Sequence, residues 1–156
     1  MPSESSLHRG DFIAVNLCYD LFMKNAYNWY SQLKKPKWAP PSWIFGPVWS
    51  VLYVLIFISF GTVFYKVFNN ELPAIIALPF VLNLIFNFLF TPIQFKLKNN
   101  YLAAIDVILV LITLKWAMGV IYSHISWVVF INIPYLVWVA FATFLQITVT
   151  ILNRKK

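Results

Sequence analysis

The sequence has little charge of either sign and almost no cysteine. Charged residues make up 11% of the 156 residues, and only five residues are acidic. Soluble domains carry about 25% charged residues, so this chain lacks the polar surface that would cover a core in water. The single cysteine, Cys18, excludes an internal disulfide and a cysteine metal cluster. What remains, a chain that is 61% apolar, is typical of an integral membrane protein.

The sequence also lacks the motifs of common soluble enzymes. It contains no glycine-rich phosphate loop, no serine–histidine–aspartate arrangement and no metal-ligand spacing. We therefore predict no metal and no bound cofactor. The net charge of +7 does not indicate nucleic-acid binding, because the basic residues lie between and beyond the apolar segments.

Four apolar segments are long enough to cross a bilayer. A spanning helix needs about 20 mostly apolar residues. The predicted spans run from Trp43 to Tyr65, Pro73 to Phe95, Tyr101 to Tyr122 and Trp127 to Leu152. Because lipid satisfies no backbone polar group, each span is predicted to be helical. The short connections make neighbouring spans antiparallel.

The first apolar stretch is weaker than the other four. Phe12 to Met23 is about half a span long and contains Asn16 and Asp20. It is either a weak, tilted first transmembrane helix or a helix lying in the interface. With it, the sequence predicts an all-α integral membrane protein, a five-helix transmembrane bundle forming one domain over residues 1–156. A polar tail at 1–11 precedes the bundle, and a basic tail at 153–156 follows it.

Lysine and arginine concentrate on one side of the predicted bundle. The opposite side holds Lys66, offset by Glu71, and His124. Short loops rich in lysine and arginine stay in the cytoplasm, so the C-terminus is predicted to be cytoplasmic. The basic residues on the cytoplasmic side are Lys34, Lys35, Lys37, Lys96, Lys98, Arg154, Lys155 and Lys156.

A stripe of polar residues runs along one of the predicted spans. Asn83, Asn87, Thr91 and Gln94 are spaced by four, four and three residues, which places them on one helical face. Polar groups are costly in hydrocarbon, so the stripe predicts the lining of a pocket. The alternative is that these side chains join helices by hydrogen bonds.

Aromatic and acidic residues mark the other spans. Trp49 and Tyr53 are one turn apart, a spacing more often found in core packing than in a ligand site. Trp138 and Ala142 are also one turn apart, and the small side chain of Ala142 either leaves space for a flat group beside Trp138 or lets another helix approach.

Asp106 is the only acid in the four spans. We interpret it as structural, either stabilising a helix N-terminus or pairing with a loop lysine.

The segment leading into the first of the four spans is rich in tryptophan and proline. Residues 29–53 read WYSQLKKPKWAPPSWIFGPVWSVLY. This pattern resembles the signature of the tryptophan-rich sensory protein / translocator protein (TspO/MBR) family, and the resemblance extends to about Asn153. The later segments that agree with it are Asn83 with Phe86-Asn87, Pro92 with Gln94-Phe95, Ala103 to Asp106, Pro134-Tyr135, and Trp138 with Ala140 to Thr143.

The resemblance implies a five-helix membrane bundle, often dimeric, with a ligand pocket under the first loop. The family binds porphyrins and other tetrapyrroles, and in animals cholesterol and synthetic drugs. Some bacterial members are similar to light-dependent porphyrin-degrading catalysts, and Trp49 and Trp138 are the residues tied to that chemistry. The implied ligand-binding residues are Tyr30, Trp38, Pro41, Trp49, Tyr53, Asn83, Asn87, Phe90, Trp138 and Ala142, of which Tyr30 and the proline-rich loop would close the pocket.

Three functions follow from these observations as hypotheses. The leading one is a membrane receptor, sensor or carrier that binds a tetrapyrrole such as porphyrin as its ligand. The alternatives are a light-dependent porphyrin-degrading enzyme and a transporter of sterol or another small hydrophobic ligand. Sterol ranks below porphyrin because no tyrosine follows Tyr135 to complete a C-terminal cholesterol motif.

The predicted environment and partners follow from the same resemblance. The expected partners are the lipid bilayer, the hydrophobic ligand and a second copy of the chain, although no GxxxG motif supports a homodimer. The expected location is a bacterial inner membrane, or the outer mitochondrial membrane if the source is eukaryotic.

Overall fold

The computed structural model describes Lys24 and residues 28–154. The chain divides between Leu33 and Lys34 into two units. In the first unit, residues 28–32 are helical, and the backbone N–H of Leu33 donates to the carbonyl of Tyr30 at 3.3 Å. The predicted helix at Phe12–Met23, the tail at 1–11 and residues 155–156 lie outside the described residues.

The second unit is built from helices, and residues 34–154 contain no strand. Short 3₁₀ turns at Ser42–Ile44 and Ala74–Ile76 lead into the first two helices. Four helical segments are long and apolar enough to cross a membrane, which confirms the prediction of an all-α membrane protein. The helices are α1 (Phe45–Phe68), α2 (Ala77–Thr91), α3 (Asn100–Ile121), α4 (Ser126–Ile131) and α5 (Ile133–Leu152).

Two prolines determine where helices widen or break. Residues Pro92–Lys96 form a π-helical turn after α2, in which the N–H of Leu97 donates to the carbonyl of Pro92 at 3.0 Å. The predicted span from Trp127 to Leu152 is two helices, because the chain leaves helical geometry at Asn132. Pro134 follows in the first turn of α5, where its missing N–H is tolerated, whereas inside a continuous helix it would clash.

Large apolar side chains lie both between the helices and on their outer faces. Phe60 of α1 and Phe80 of α2 pack edge to face with ring centroids 4.8 Å apart, and both are fully buried. By contrast, Phe57 is 80% exposed and Phe144 is 63% exposed. Lipid tails are as apolar as these rings, so the outer faces suit a bilayer. For the same reason, no hydrophobic force drives the helices together, and packing and polar contacts must hold them.

A buried polar layer joins the end of α2 to α3 and α5. The Nε2 group of Gln146 donates to Oε1 of Gln94 at 3.1 Å, and Gln94 donates to Oδ1 of Asn100 at 3.3 Å. The hydroxyl of Thr150 donates to the backbone carbonyl of Asn100 at 3.0 Å. We call these four residues the amide layer. It aligns the ends of three spans at the lysine-rich end of the unit.

The start of α3 is capped by Asn99 and not by Asp106. The side-chain oxygen of Asn99 accepts from the N–H groups of Tyr101 and Leu102, both at 3.1 Å. Asp106 lies nearly two turns into the helix, is 4% exposed, and its Oδ2 has no hydrogen-bond partner among the described residues. The interpretation of Asp106 as a helix-terminus or lysine partner is therefore wrong, because it lies too deep for either role.

Replacing Gln146 by leucine is expected to lower the free energy of unfolding by about 1 kcal/mol, the order typical of interhelical hydrogen bonds in membranes. The change removes the donor to Oε1 of Gln94 while keeping a similar side-chain size. SDS-induced unfolding in mixed micelles measures the loss in the free energy of unfolding. Thr148→Val is the matched control, because the Thr148 hydroxyl donates within its own helix to the carbonyl of Phe144. An equal loss in both variants would contradict a role for the amide layer.

Candidate ligand site

Aromatic rings line the contact between α1 and α5. Phe45 and Trp49 are one turn apart on α1, as predicted for residues four apart in a helix. The rings of Phe45 and Trp138 meet edge to face with centroids 5.6 Å apart, and Trp49 meets Tyr135 in the same way at 6.4 Å. We call these four residues the aromatic seam. It places Trp49 and Trp138, which are remote in sequence, on facing stripes of two helices.

An apolar groove of about 770 Å³ adjoins the aromatic seam. This volume lies within the range of about 300–1,000 Å³ found for small-molecule sites. Trp138 belongs to both the groove and the seam, and its indole Nε1 is buried without a hydrogen-bond partner in the described part of the chain. The groove is lined by Pro40, Pro47, Val48, Val51, Leu52, Pro134, Val137, Trp138 and Phe141.

A chain of hydrogen bonds crosses the bundle beside the seam. The hydroxyl of Tyr53 donates to Oδ1 of Asn87 at 3.0 Å, and Nδ2 of Asn87 donates to the hydroxyl of Tyr135 at 2.7 Å. The Tyr135 hydroxyl then donates to Oδ1 of Asn83 at 2.9 Å. Finally, Nδ2 of Asn83 donates to the carbonyl of Val110 at 2.9 Å. This tyrosine–asparagine relay, formed by Tyr53, Asn87, Tyr135 and Asn83, joins α1, α2, α5 and α3.

The relay and the amide layer account for most of the polar stripe on α2. Asn83 is 0% exposed, Asn87 is 5% exposed and Gln94 is 1% exposed, and all three bond to other helices or loops. Thr91 is exposed. The stripe therefore joins helices, as its second interpretation stated, and its role in lining a pocket stays a prediction. Tyr53, which is 39% exposed, is the accessible end of the relay.

The proline-rich loop at 34–41 is held at the C-terminal end of α5. Oδ1 of Asn153 accepts from the backbone N–H of Lys34 at 3.0 Å, and Nδ2 of Asn153 donates to the Lys34 carbonyl at 2.9 Å. We call this pair of hydrogen bonds the Asn153 clasp. Partial burial of Lys35, the next residue, lowers the pKa of its ammonium group. The clasp fixes where the loop begins.

Beyond the clasp, the loop continues along α5 to the groove. Trp38 stacks on Phe144 with ring centroids 5.4 Å apart and meets Phe141 edge to face at 5.9 Å. Phe141 and Pro40 both line the groove. The loop thus lies against α5, and Trp38 is placed beside the groove wall, whereas Pro41 is the next residue after the groove-lining Pro40.

Two other predicted site residues in the second unit are not part of the groove lining. Phe90 is half-buried on α2, and Ala142 is half-buried on α5 one turn beyond Trp138. The ring next to Trp138 on its own helix is Phe141, with centroids 5.6 Å apart. Tyr30 lies in the first unit, in the helical stretch at 28–32. The predicted ligand contacts of these residues stay predictions.

Several residues of the site were not predicted. Phe45, Tyr135 and Phe141 are each three or four residues from a predicted tryptophan, and helical spacing would have found them. The aliphatic wall of the groove carries no comparable signal. Apolar residues occur on every face of a spanning helix, so valines such as Val48 and Val137 are indistinguishable from lipid-facing ones in the sequence.

Replacing Tyr135 by phenylalanine is expected to lower the free energy of unfolding by about 1–2 kcal/mol, because Oδ1 of Asn83 loses its donor and Nδ2 of Asn87 loses its acceptor. SDS-induced unfolding followed by circular dichroism measures the loss. Tyr101→Phe is the control, since Tyr101 is 53% exposed and its hydroxyl has no partner in the described residues. A Tyr135→Phe variant as stable as this control would contradict the relay.

Comparison with known proteins places these features in a family. Residues 12–152 match the TspO/MBR family model. The chain is 35% identical to the tryptophan-rich protein TspO of Bacillus cereus, over 94% of this chain and 99% of that protein. It is 39% identical to protein CrtK of Rhodobacter capsulatus over 80% and 78% of the two chains. It is 31% identical to the translocator protein of Homo sapiens over 70% and 73%. The sequence resemblance is thereby confirmed, and this membrane protein belongs to the TspO/MBR family.

Proposed function

We propose that the protein is a membrane receptor or carrier that binds a tetrapyrrole against Trp138 and Trp49. The observation that carries the proposal is the junction of the aromatic seam with the apolar groove at Trp138. A tetrapyrrole is a large, flat, conjugated ring, and aromatic stacking favours such a ligand by about 0.5–1.5 kcal/mol per ring pair beyond area burial.

The polar groups near the groove are few, as expected for a hydrophobic ligand. Small-molecule sites combine mostly apolar walls with a small number of orienting polar groups. Here the Tyr53 hydroxyl, at the accessible end of the relay, would orient the ligand by accepting a hydrogen bond, since its own proton is donated to Asn87. Asn83 and Asn87 support this site by holding Tyr53 and Tyr135 in place.

The names of relatives support a receptor or translocator. Relatives are named tryptophan-rich sensory protein in Cereibacter sphaeroides and translocator protein in Homo sapiens. We extend those roles to this chain, with porphyrin as a ligand and not as a resident cofactor. The expected setting is a bacterial inner membrane with the lysine-rich end in the cytoplasm, and the expected assembly is a homodimer.

Replacing Trp138 by alanine is expected to weaken protoporphyrin IX binding about tenfold, which corresponds to roughly 1.4 kcal/mol of lost stacking and burial. Saturable quenching of tryptophan fluorescence in the dark measures the Kd. Trp138→Phe should retain most of the affinity because it keeps an aromatic face. Trp127→Phe controls for partition of porphyrin into the micelle, since Trp127 lies on α4 outside the groove lining. An unchanged Kd in Trp138→Ala would overturn the site.

Illumination of the same samples distinguishes binding from chemistry. With a receptor or carrier, the porphyrin absorbance falls under light no faster than it does in protein-free micelles. A degrading enzyme would bleach the absorbance and create a product band, and Trp→Phe changes at 49 and 138 would then lower turnover while binding survives. Saturable binding of cholesterol without any saturable porphyrin binding would favour the sterol transporter.

Removing the Asn153 clasp by Asn153→Ala is expected to raise both the association rate and the dissociation rate of the porphyrin by about threefold to tenfold. Because both rates rise, their ratio, the Kd, should change by a smaller factor. Each lost hydrogen bond holds the loop by about 1 kcal/mol, and a looser loop opens the groove more often. Stopped-flow quenching of Asn153→Ala measures the rates. Arg154→Gln is the control, because Arg154 is the exposed neighbour of Asn153 and has no part in the clasp. Rates equal to wild type would show that the loop does not limit access.

A further inference from the structure

Basic side chains from three separate parts of the chain converge on one end of the second unit. The Asn153 clasp brings Lys34 to the C-terminal end of α5, next to Arg154. The amide layer brings the turn between α2 and α3, which carries Lys96 and Lys98, to the same end. We call Lys34, Lys96, Lys98 and Arg154 the basic face. All four side chains are exposed.

The basic face has no neutralising carboxylate within the described part of the chain. Only two acids belong to that part, Glu71 and Asp106. Glu71 lies in the loop between α1 and α2 at the opposite end, where it forms an ion pair with Lys66. Asp106 is buried inside α3 and is 4% exposed. The positive charge of the basic face is therefore not neutralised by any described residue and is available to an anionic partner.

The basic face also lies at the depth where lipid headgroups are found. The membrane-spanning segments end at Lys96, begin again at Asn100 and end at Leu152. Lys98 and Arg154 are each two residues from these limits. The turn that carries the lysines is ordered by hydrogen bonds from Leu97 to Pro92 and from Asn99 to Ile93, so the charges are held at the boundary.

Two structural explanations cover only part of this arrangement. Cations in the last turn of a helix are stabilised by the helix dipole, which applies to Lys96 but not to Lys34 in a loop. The general preference for lysine and arginine in cytoplasmic loops concerns insertion and requires no convergence of side chains in the folded protein. A cluster of cations at the membrane boundary is, in contrast, the feature that attracts anionic lipid.

We propose that the basic face is a binding site for the headgroup phosphate of anionic phospholipid, with phosphatidylglycerol as the probe lipid. The phosphate would lie among Lys34, Lys96, Lys98 and Arg154, and the acyl chains would pack on the exposed apolar faces of α2 and α5. This site is separate from the aromatic seam and does not depend on the tetrapyrrole. It shares one residue, Lys34, with the Asn153 clasp.

Native mass spectrometry tests the proposal on the full-length protein. The protein is released from micelles doped with equal amounts of phosphatidylglycerol and phosphatidylcholine. The wild type is expected to retain phosphatidylglycerol at least about fivefold over phosphatidylcholine. Lys96→Gln/Lys98→Gln should bring this ratio close to one, and the charge-preserving Lys96→Arg/Lys98→Arg should restore it.

The control variant also removes two positive charges, but from lysines outside the basic face. Lys66→Gln/Lys115→Gln takes one lysine from the opposite end and one from the lipid-facing side of α3, and it should keep the wild-type ratio. Thermal unfolding in phosphatidylcholine micelles confirms that each variant is folded.

Three outcomes would overturn the proposal. No phosphatidylglycerol preference in the wild type would mean that the basic residues act only in membrane insertion. An equal loss in the control variant would mean that net charge, and not the basic face, attracts the lipid. Displacement of the lipid by millimolar inorganic phosphate would identify a site for free phosphate instead.

Discussion

Hydrocarbon offers no hydrogen-bonding partner, so a polar group inside the spans is costly unless another part of the protein satisfies it. The tyrosine–asparagine relay meets this constraint by linking four helices in one donor-to-acceptor direction, from Tyr53 through Asn87, Tyr135 and Asn83 to the carbonyl of Val110 on α3. The amide layer does the same nearer the lysine-rich end. Because lipid removes the hydrophobic force between helices, these two layers and the packing between them determine how the helices are arranged.

The candidate site exists where these polar links are fewest. α2, α3 and α5 are joined directly by side-chain hydrogen bonds, whereas in the described residues no hydrogen bond runs directly from α1 to α5. Their contact consists of rings, Phe45 on Trp138 and Trp49 on Tyr135. Ring contacts tolerate small separations better than hydrogen bonds, which weaken steeply with distance and angle. The contact between α1 and α5 can therefore separate slightly at a lower cost than the hydrogen-bonded contacts among α2, α3 and α5.

The proline-rich loop connects this site to the membrane boundary. One end of the loop is tied to α5 by the Asn153 clasp, and the other end reaches the groove at Pro40. Between them, Trp38 packs on Phe144 and Phe141. Its prolines restrict the backbone before any ligand arrives, which lowers the entropy cost of holding a loop over the groove.

Much of this organisation could be predicted from the sequence, because it depends on local properties. The lengths and hydropathy of the spans follow from the thickness of the bilayer. The four predicted segments agree with the helices except at Asn132, where a new helix begins just before Pro134. The 3.6-residue period placed Asn83 and Asn87 on one face of α2. The family resemblance, carried by the tryptophan and proline positions at 29–53, indicated Trp49 and Trp138 and was confirmed by comparison.

Only the tertiary structure decided which faces meet. The partner of Asn83 is Tyr135, 52 residues away, and the partner of Gln94 is Gln146, also 52 residues away. One polar stripe is thus divided between two layers, and Thr91 within it is left exposed. Periodicity states which residues share a face of one helix but contains no information about the helix opposite. A hydrogen bond depends on both partners, so long-range packing determined whether these side chains join helices or face a ligand.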